Sequence, residues 1–219
     1  AAPKAVTLVP DGMTVGLGSG SSASIAIQLL GHRLKSGLKI RAVPSSLKSE
    51  TLARESGIEI ISPEDVEVID IALDGADEAD RKGNLIKGGG ASLLREKILA
   101  HASRRFHVMI DDSKLVSQLG QFPLPVEVLR FGVKLTLTQI SRLGCECELR
   151  KEGDTPIISD NGNFIVDCHF RQIADPAWLD VKLKMIPGVV ETGIFLSQVV
   201  TSVIIGYQNG EAVEVAVTS

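Results

Sequence analysis

The stretch Met13-Thr14-Val15-Gly16-Leu17-Gly18-Ser19-Gly20-Ser21-Ser22 decides how the chain is read. Its first five residues form a short apolar run of the kind buried in a parallel sheet, and Asp11-Gly12 supplies the turn leading into it. Glycine and serine then take over, and Ser21 or Ser22 is placed to cap a helix. Beyond them Ile25, Ala26, Leu29, Leu30 and Leu34 recur at i, i+4 along one helical face. Strand, glycine loop and helix in that order predict parallel strands joined by crossover helices.

The same alternation continues outward. Residues 38–43 read as a strand, 47–56 as a helix stopped by Gly57, and 58–61 as a strand. Residues 66–73 read as a fourth strand running into Asp74-Gly75-Ala76-Asp77; after a polar loop, 91–102 read as a helix and 105–110 as the next strand. This half is expected to be an α/β, doubly wound, Rossmann-like open sheet. Pro123 and Pro125 then break the pattern. Strands are expected at 126–129, 146–150, 164–169 and 189–196, and helices at 133–143 and 176–185. Residues 156–159 add a hairpin strand across Asp160-Asn161-Gly162-Asn163. That order, βαββαβ with an extra hairpin strand, predicts an inserted ferredoxin-like α+β unit. A last hairpin, 201–205 and 212–217, is placed to rejoin the first sheet. The expected division is 1–124 plus 198–219 for the Rossmann-like domain and 125–197 for the insert.

A length of 219 residues, with 44% hydrophobic and 23% charged side chains, is that of a folded globular chain. Lys and Arg number 23 against 27 Asp and Glu, and aromatic residues are few. Neither a basic face nor stacking platforms for bases are therefore available, and nucleic acid is not an expected partner. Cys145, Cys147 and Cys168 form an odd set without Cys-x-x-Cys spacing, read as buried thiols of a reducing compartment. The opening Ala1-Ala2-Pro3-Lys4-Ala5 lacks the apolar core of a signal peptide, and no run approaches the ~20 apolar residues of a membrane span. A soluble cytoplasmic protein is expected, without a membrane partner.

Three segments carry chemistry-bearing residues. In Gly16-Leu17-Gly18-Ser19-Gly20-Ser21-Ser22, free N–H groups, the helix dipole and the hydroxyls of Ser19, Ser21 and Ser22 suit a phosphate. The spacing is neither Gly-x-Gly-x-x-Gly nor a P-loop, and a tight turn with a capping serine explains it equally. Asp74-Gly75-Ala76-Asp77-Glu78 stands at the carboxyl end of a strand, where parallel sheets bind ligands. Those acids suit proton handling, Mg²⁺ with Glu78 and Asp80 as further ligands, or a solvated acidic turn. Lys87-Gly88-Gly89-Gly90 precedes Arg95-Glu96-Lys97, so an ammonium, backbone amides and a carboxylate could converge on a developing oxyanion; a glycine hinge beside solvated helix charges is the plainer alternative. His32, His101, His107 and His169 show no ligand spacing, and no bound metal is expected.

Taken together, Gly18-Ser19-Gly20-Ser21-Ser22, Asp74-Gly75-Ala76-Asp77, Lys87-Gly88-Gly89-Gly90 with Arg95-Glu96-Lys97, Asp111-Asp112-Ser113-Lys114, Pro123-Leu124-Pro125-Val126-Glu127 and Asp160-Asn161-Gly162-Asn163 resemble, in order, the type A ribose-5-phosphate isomerases. The resemblance runs from about residue 14 to the end of the chain. It implies interconversion of ribose 5-phosphate and ribulose 5-phosphate without a cofactor. It also implies Glu96 as general base, Asp74, Asp77 and Lys87 around the reacting sugar oxygens, and a substrate site of Ser19, Gly20, Ser21, Ser22, Gly75, Ala76, Gly88, Gly89, Gly90 and Lys114. A homodimer or homotetramer is implied as well. Two departures stand out: the segment before the glycine loop is shorter than the family's helix there, leaving Lys4 unmatched to its N-terminal lysine, and Ser19 and Ser22 replace frequent threonines. Such chemistry needs only a carboxylate and an ammonium. A sugar-phosphate sensor would need an output module that the sequence lacks, and a hydrolase or transferase would need its own nucleophile.

Overall fold

A computed structural model describes residues 1–217. The chain opens with α1 (Ala2–Thr7), β1 (Thr14–Leu17), α2 (Gly20–Lys35), β2 (Arg41–Pro44), α3 (Leu47–Glu55) and β3 (Glu59–Ile60). Next come β4 (Ile71–Gly75), β5 (Glu78–Asp80), β6 (Leu85–Ile86), α4 (Leu93–Ala102), β7 (Phe106–Asp111) and β8 (Leu115–Val116). Then follow β9 (Leu124–Val128), α5 (Val133–Ser141), β10 (Glu146–Leu149), β11 (Lys151–Glu152), β12 (Thr155–Pro156), β13 (Phe164–His169) and α6 (Pro176–Lys184). The chain ends with β14 (Val189–Thr192), β15 (Ile194–Phe195), β16 (Ser202–Gly206) and β17 (Ala212–Ala216).

Seven strands form the main sheet in the order β17-β16-β7-β4-β1-β2-β3, parallel except for β17. Because side chains alternate along a strand, each buried strand feeds two cores. Ile71, Leu73, Met109 and Ile204 pack with α1, α2 and α3 on one face. Ala72, Val108, Ile110, Val203 and Ile205 pack with Ala100 and Phe195 on the other. The expected Rossmann-like architecture is present, and the terminal hairpin rejoins this sheet.

The second sheet runs β10-β13-β9-β14, antiparallel throughout, with α5 and α6 in its connections. Strand order and connectivity are ferredoxin-like, and its core joins Val126, Val128, Val166 and Cys168 to Ile140, Leu179 and Leu183. The hairpin turn falls at Asp160–Asn163 as expected, yet only an Ile158–Phe164 bridge precedes it, and β12 pairs with β11 instead.

Several expected boundaries shift. The strand expected over 66–73 lies at Ile71–Gly75, because pairing with β1 begins only at Val15 opposite Ile71. The helix expected from 91 starts at Leu93, since Ala91 adopts φ 63°. The single strand expected over 189–196 is two, in different sheets, turned at Gly193. A small sheet, β15-β6-β5-β8, replaces the polar loop expected after Asp77. Cys145 and Cys168 are buried thiols, but Cys147, on β10, is only half-buried. Residues 218 and 219 of the expected first domain lie outside the described residues.

Candidate active site

The strand order reverses between β1 and β4, so the helices after these two strands diverge and leave a crevice at their carboxyl ends. Gly18 leaves β1 against β4, its N–H donating to Leu73 O at 2.9 Å. Ser19 N–H then donates to Asp74 Oδ1 at 3.1 Å, and Gly75 N–H to the same oxygen at 2.7 Å. A Cβ on Gly18 would stand 2.0 Å from Asp74 Cγ, so only glycine lets the loop lie on this carboxylate.

Helix α2 begins at Gly20, so the N-cap position belongs to Ser19, two or three residues before the expected cap at Ser21 or Ser22. Its hydroxyl does not cap the helix. It turns instead to Ser45 and Ser46, each 2.9 Å away, at the carboxyl end of β2. The first-turn N–H groups of α2, beside Ser21 and Ser22, therefore keep their capacity for an anion.

Leu93, Glu96, Lys97 and Ala100 form an i, i+3, i+4, i+7 stripe, and all four are buried. That stripe turns Glu96 inward. Its Oε2 lies 3.0 Å from Lys87 Nζ, and Asp74 Oδ2 lies 2.9 Å from the same nitrogen, with all three side chains no more than 5% exposed. Lys87 also donates to Gly75 O at 2.5 Å and stands 5.3 Å from the centroid of the Phe195 ring. Burial and the neighbouring Asp74 charge push the Glu96 carboxyl up to about 7, against the pull of Lys87. Burial likewise raises Asp74 despite the ammonium beside it. For Lys87 burial works downward, but Asp74 and Glu96 outweigh it and hold the ammonium above its ordinary value.

Asp77 Oδ2 accepts from Gly89 N–H at 2.8 Å, and Lys114 Nζ donates to Ala76 O at 3.0 Å. The structure thus brings Ser19, Gly20, Ser21, Ser22, Gly75, Ala76, Asp77, Lys87, Gly88, Gly89, Gly90, Glu96 and Lys114 to the wall of one small cavity. Asp74 is the exception among the expected residues: it lies behind Gly18 and Lys87 and reaches the cavity through the ammonium. Lys4 is on α1, packed against α2, β7 and β16, and is not part of this wall.

The acidic run divides by position. Glu78 is buried and accepts from Gly120 N–H at 2.7 Å and Phe122 N–H at 2.6 Å, while Asp80 accepts from the N–H groups of Lys82 and Asn84. Both fix backbone turns. No cluster of three His, Cys, Asp or Glu side chains suited to a metal occurs among the described residues. Ser45, Ser46 and Phe195 support the site without having been singled out for it, and Gly18, expected only as part of the glycine loop, does so through its contact with Asp74. Ser45-Ser46 follows a parallel strand, which is the signal that could have found them; Phe195 offers none.

Residues 41–210 match the family described as ribose 5-phosphate isomerase A (phosphoriboisomerase A). Ribose-5-phosphate isomerase A of Bacillus mycoides is 49% identical over 207 residues, covering 94% of this chain and 93% of its own. The enzyme of the same name from Maricaulis maris is 48% identical over 221 residues, covering 97% and 94%. Among solved structures, ribose 5-phosphate isomerase A from Methanocaldococcus jannaschii superimposes with a TM-score of 0.92 at 38% identity, over 98% of this chain and 96% of that one. A D-ribose-5-phosphate isomerase in complex with phospho-erythronic acid gives 0.94 at 40% identity, over 98% and 95%. The chain belongs to the ribose 5-phosphate isomerase A family.

Proposed function

We propose that the chain interconverts D-ribose 5-phosphate and D-ribulose 5-phosphate through an enediolate, with Glu96 as general base. The observation that carries this reading is the buried Lys87 ammonium held between Asp74 and Glu96 on the wall of a cavity that also contains an uncapped helix start. In the open-chain aldose, the Glu96 carboxylate takes the proton from C2. The released electron pair forms the C1–C2 double bond, and charge gathers on O1 beside Lys87. Transfer of the O2 proton to O1 and return of the proton from Glu96 to C1 leave the C2 carbonyl of the ketose. A carboxyl near 7 accepts and returns that proton at comparable cost.

Asp77 and Lys87 face the sugar oxygens, while Asp74 acts through Lys87. The α2 N-terminus with Ser21, Ser22 and Lys114 receives the phosphate and fixes the short sugar over Glu96. The relative bound to phospho-erythronic acid supports the enediolate reading: a phosphorylated sugar acid carries, in one molecule, a phosphate and a planar carboxylate that resembles the doubly oxygenated end of an enediolate. The division into 1–124 with 198–219 and an insert of 125–197 is part of the same reading, as are a cytoplasmic homodimer or homotetramer and the absence of nucleic-acid and membrane partners. No helix among the described residues is long and apolar enough to cross a membrane. The test is direct: purified protein incubated with ribose 5-phosphate must yield ribulose 5-phosphate, and no turnover would refute the proposal.

A further inference from the structure

The glycine loop at the cavity is gripped from outside by the second sheet. Arg150, between β10 and β11, donates from Nη1 to Gly88 O at 2.7 Å and to Gly89 O at 3.0 Å. Its Nε donates to Asp167 Oδ2 at 2.8 Å, and its Nη2 to the other carboxylate oxygen, so the guanidinium is locked as a fork. Both residues are anchored in the sheet: Arg150 N–H donates to Ile165 O at 2.8 Å, and Asp167 lies on β13 opposite Glu148.

A planar trans peptide points its C=O and the following N–H in opposite directions. Holding the Gly88 and Gly89 carbonyls outward therefore directs the N–H groups of Gly89 and Gly90 towards the cavity. Gly89 N–H meets Asp77 there, whereas Gly90 N–H has no hydrogen-bond partner among the described residues. Ala91 N–H closes a turn on Gly88 O at 3.0 Å but leaves Gly89 O to Arg150 alone among the described residues, and Gly88 sits at φ 109°, open to glycine but strained for other residues.

We propose that Arg150, locked by Asp167, is a positioning residue that orients the Gly88-Gly89-Gly90 peptides, and through them Asp77, for the reaction. The inference rests on the proposed isomerase function but makes its own prediction about the loop. Lysine cannot substitute, because one ammonium cannot span two carbonyls and both carboxylate oxygens in this planar arrangement.

Wild type, Arg150→Lys, Arg150→Ala and Asp167→Asn are compared by steady-state kinetics with ribose 5-phosphate, thermal melting and backbone amide exchange. Misplacing a catalytic loop by about 1 Å costs up to about 10²-fold. The Arg150 variants should lose about 10- to 100-fold in kcat with a smaller change in KM, and Asp167→Asn should lose less. Millimolar guanidinium should restore part of the Arg150→Ala rate and leave wild type unchanged, and Gly89 N–H exchange should accelerate in both Arg150 variants. Wild-type kcat in Arg150→Ala, or unchanged Gly89 exchange in the variants, would overturn the proposal. So would a kcat loss that merely follows the folded fraction and ignores guanidinium. If Arg150→Ala does not fold, Arg150→Lys, which keeps the charge and stem, carries the test. A wild-type protein inert towards ribose 5-phosphate would refute the isomerase reading, and the exchange rates would still report on the clamp.

Discussion

Glu96 and Asp74 share a single buried ammonium: Lys87 Nζ is 3.0 Å from Glu96 Oε2 and 2.9 Å from Asp74 Oδ2. Two carboxylates and one cation out of water leave an excess negative charge, which protonation of one acid relieves. Glu96 is the acid whose carboxyl reaches about 7, and it is also the one on the cavity wall. Asp74, which accepts from the N–H groups of Ser19 and Gly75, is raised by burial as well, but it lies behind the wall and meets the cavity only through Lys87.

Replacing Glu96 by Gln keeps size and polarity but removes the ability to accept a proton. General-base catalysis contributes typically about 10²–10⁴-fold, so kcat should fall by at least that order while the variant remains folded and binds ribose 5-phosphate. Exchange of the substrate C2 proton with deuterium from solvent should fall in parallel. Normal turnover by the Gln variant would move the base to Asp77, the other carboxylate on the wall.

The same carboxyl sets the pH dependence. The proposed base works ionised, so kcat/KM should rise with pH and level off above an inflection at about 7. Lys87, held above its ordinary value by its two carboxylates, should impose no fall in rate through pH 9. A profile flat from pH 5 to 9 would show that Glu96 does not titrate in the free enzyme.

Gly18 tests how closely the loop must lie on Asp74. Its φ is not in the left-handed region, so the cost of Gly18→Ala is steric, from a Cβ only 2.0 Å from Asp74 Cγ and Oδ1. Overpacking of this kind costs about 1–3 kcal/mol, equivalent to several degrees of melting temperature in a chain of this length. Because the displaced group is the counter-ion of Lys87, kcat should fall beyond what the melting shift explains. Gly20→Ala, where nothing lies within 4 Å of the added Cβ but φ is 85°, should show the backbone cost without displacing Asp74.

The parallel strands and the second sheet were legible because their apolar runs and turn residues are local signals. The switch-point crevice followed from them. The small sheet β15-β6-β5-β8 was not, because two- and three-residue strands leave no periodicity to read. Arg95-Glu96-Lys97 read either as a carboxylate converging with Lys87 or as solvated helix charge; alignment with Leu93 and Ala100 puts Glu96 and Lys97 on the buried stripe. Arg150 and Gly88 are 62 residues apart, and nothing in either neighbourhood announces their contact.

Metal removal should leave the rate intact. The proposed steps need a base and a fixed positive charge, which Glu96 and Lys87 supply 3.0 Å apart. Protein treated with a chelator and assayed in metal-free buffer should keep its kcat; activity that returned only with Mg²⁺ would assign the Asp74–Asp80 acids a ligand role.

Phosphate recognition gives the last prediction, and it separates binding from chemistry. The start of α2 lacks a side-chain cap because the Ser19 hydroxyl is engaged by Ser45 and Ser46, and Lys114 stands on the same cavity wall. Hydrogen bonds to a charged group contribute about 1.5–3 kcal/mol each, or roughly 10- to 150-fold. Lys114→Ala should therefore raise KM for ribose 5-phosphate by about that factor with a smaller effect on kcat, since the proposed pose gives the lysine the end of the substrate remote from C1 and C2. Ribose without phosphate should be a far poorer substrate for wild type, and should lose little further when Lys114 is removed, because the group it meets is already absent. Inorganic phosphate should compete with ribose 5-phosphate in wild type and do so less well in the variant. Equal kcat/KM for the two sugars would remove the α2 N-terminus and Lys114 from the binding site and leave Glu96 and Lys87 to position the sugar alone.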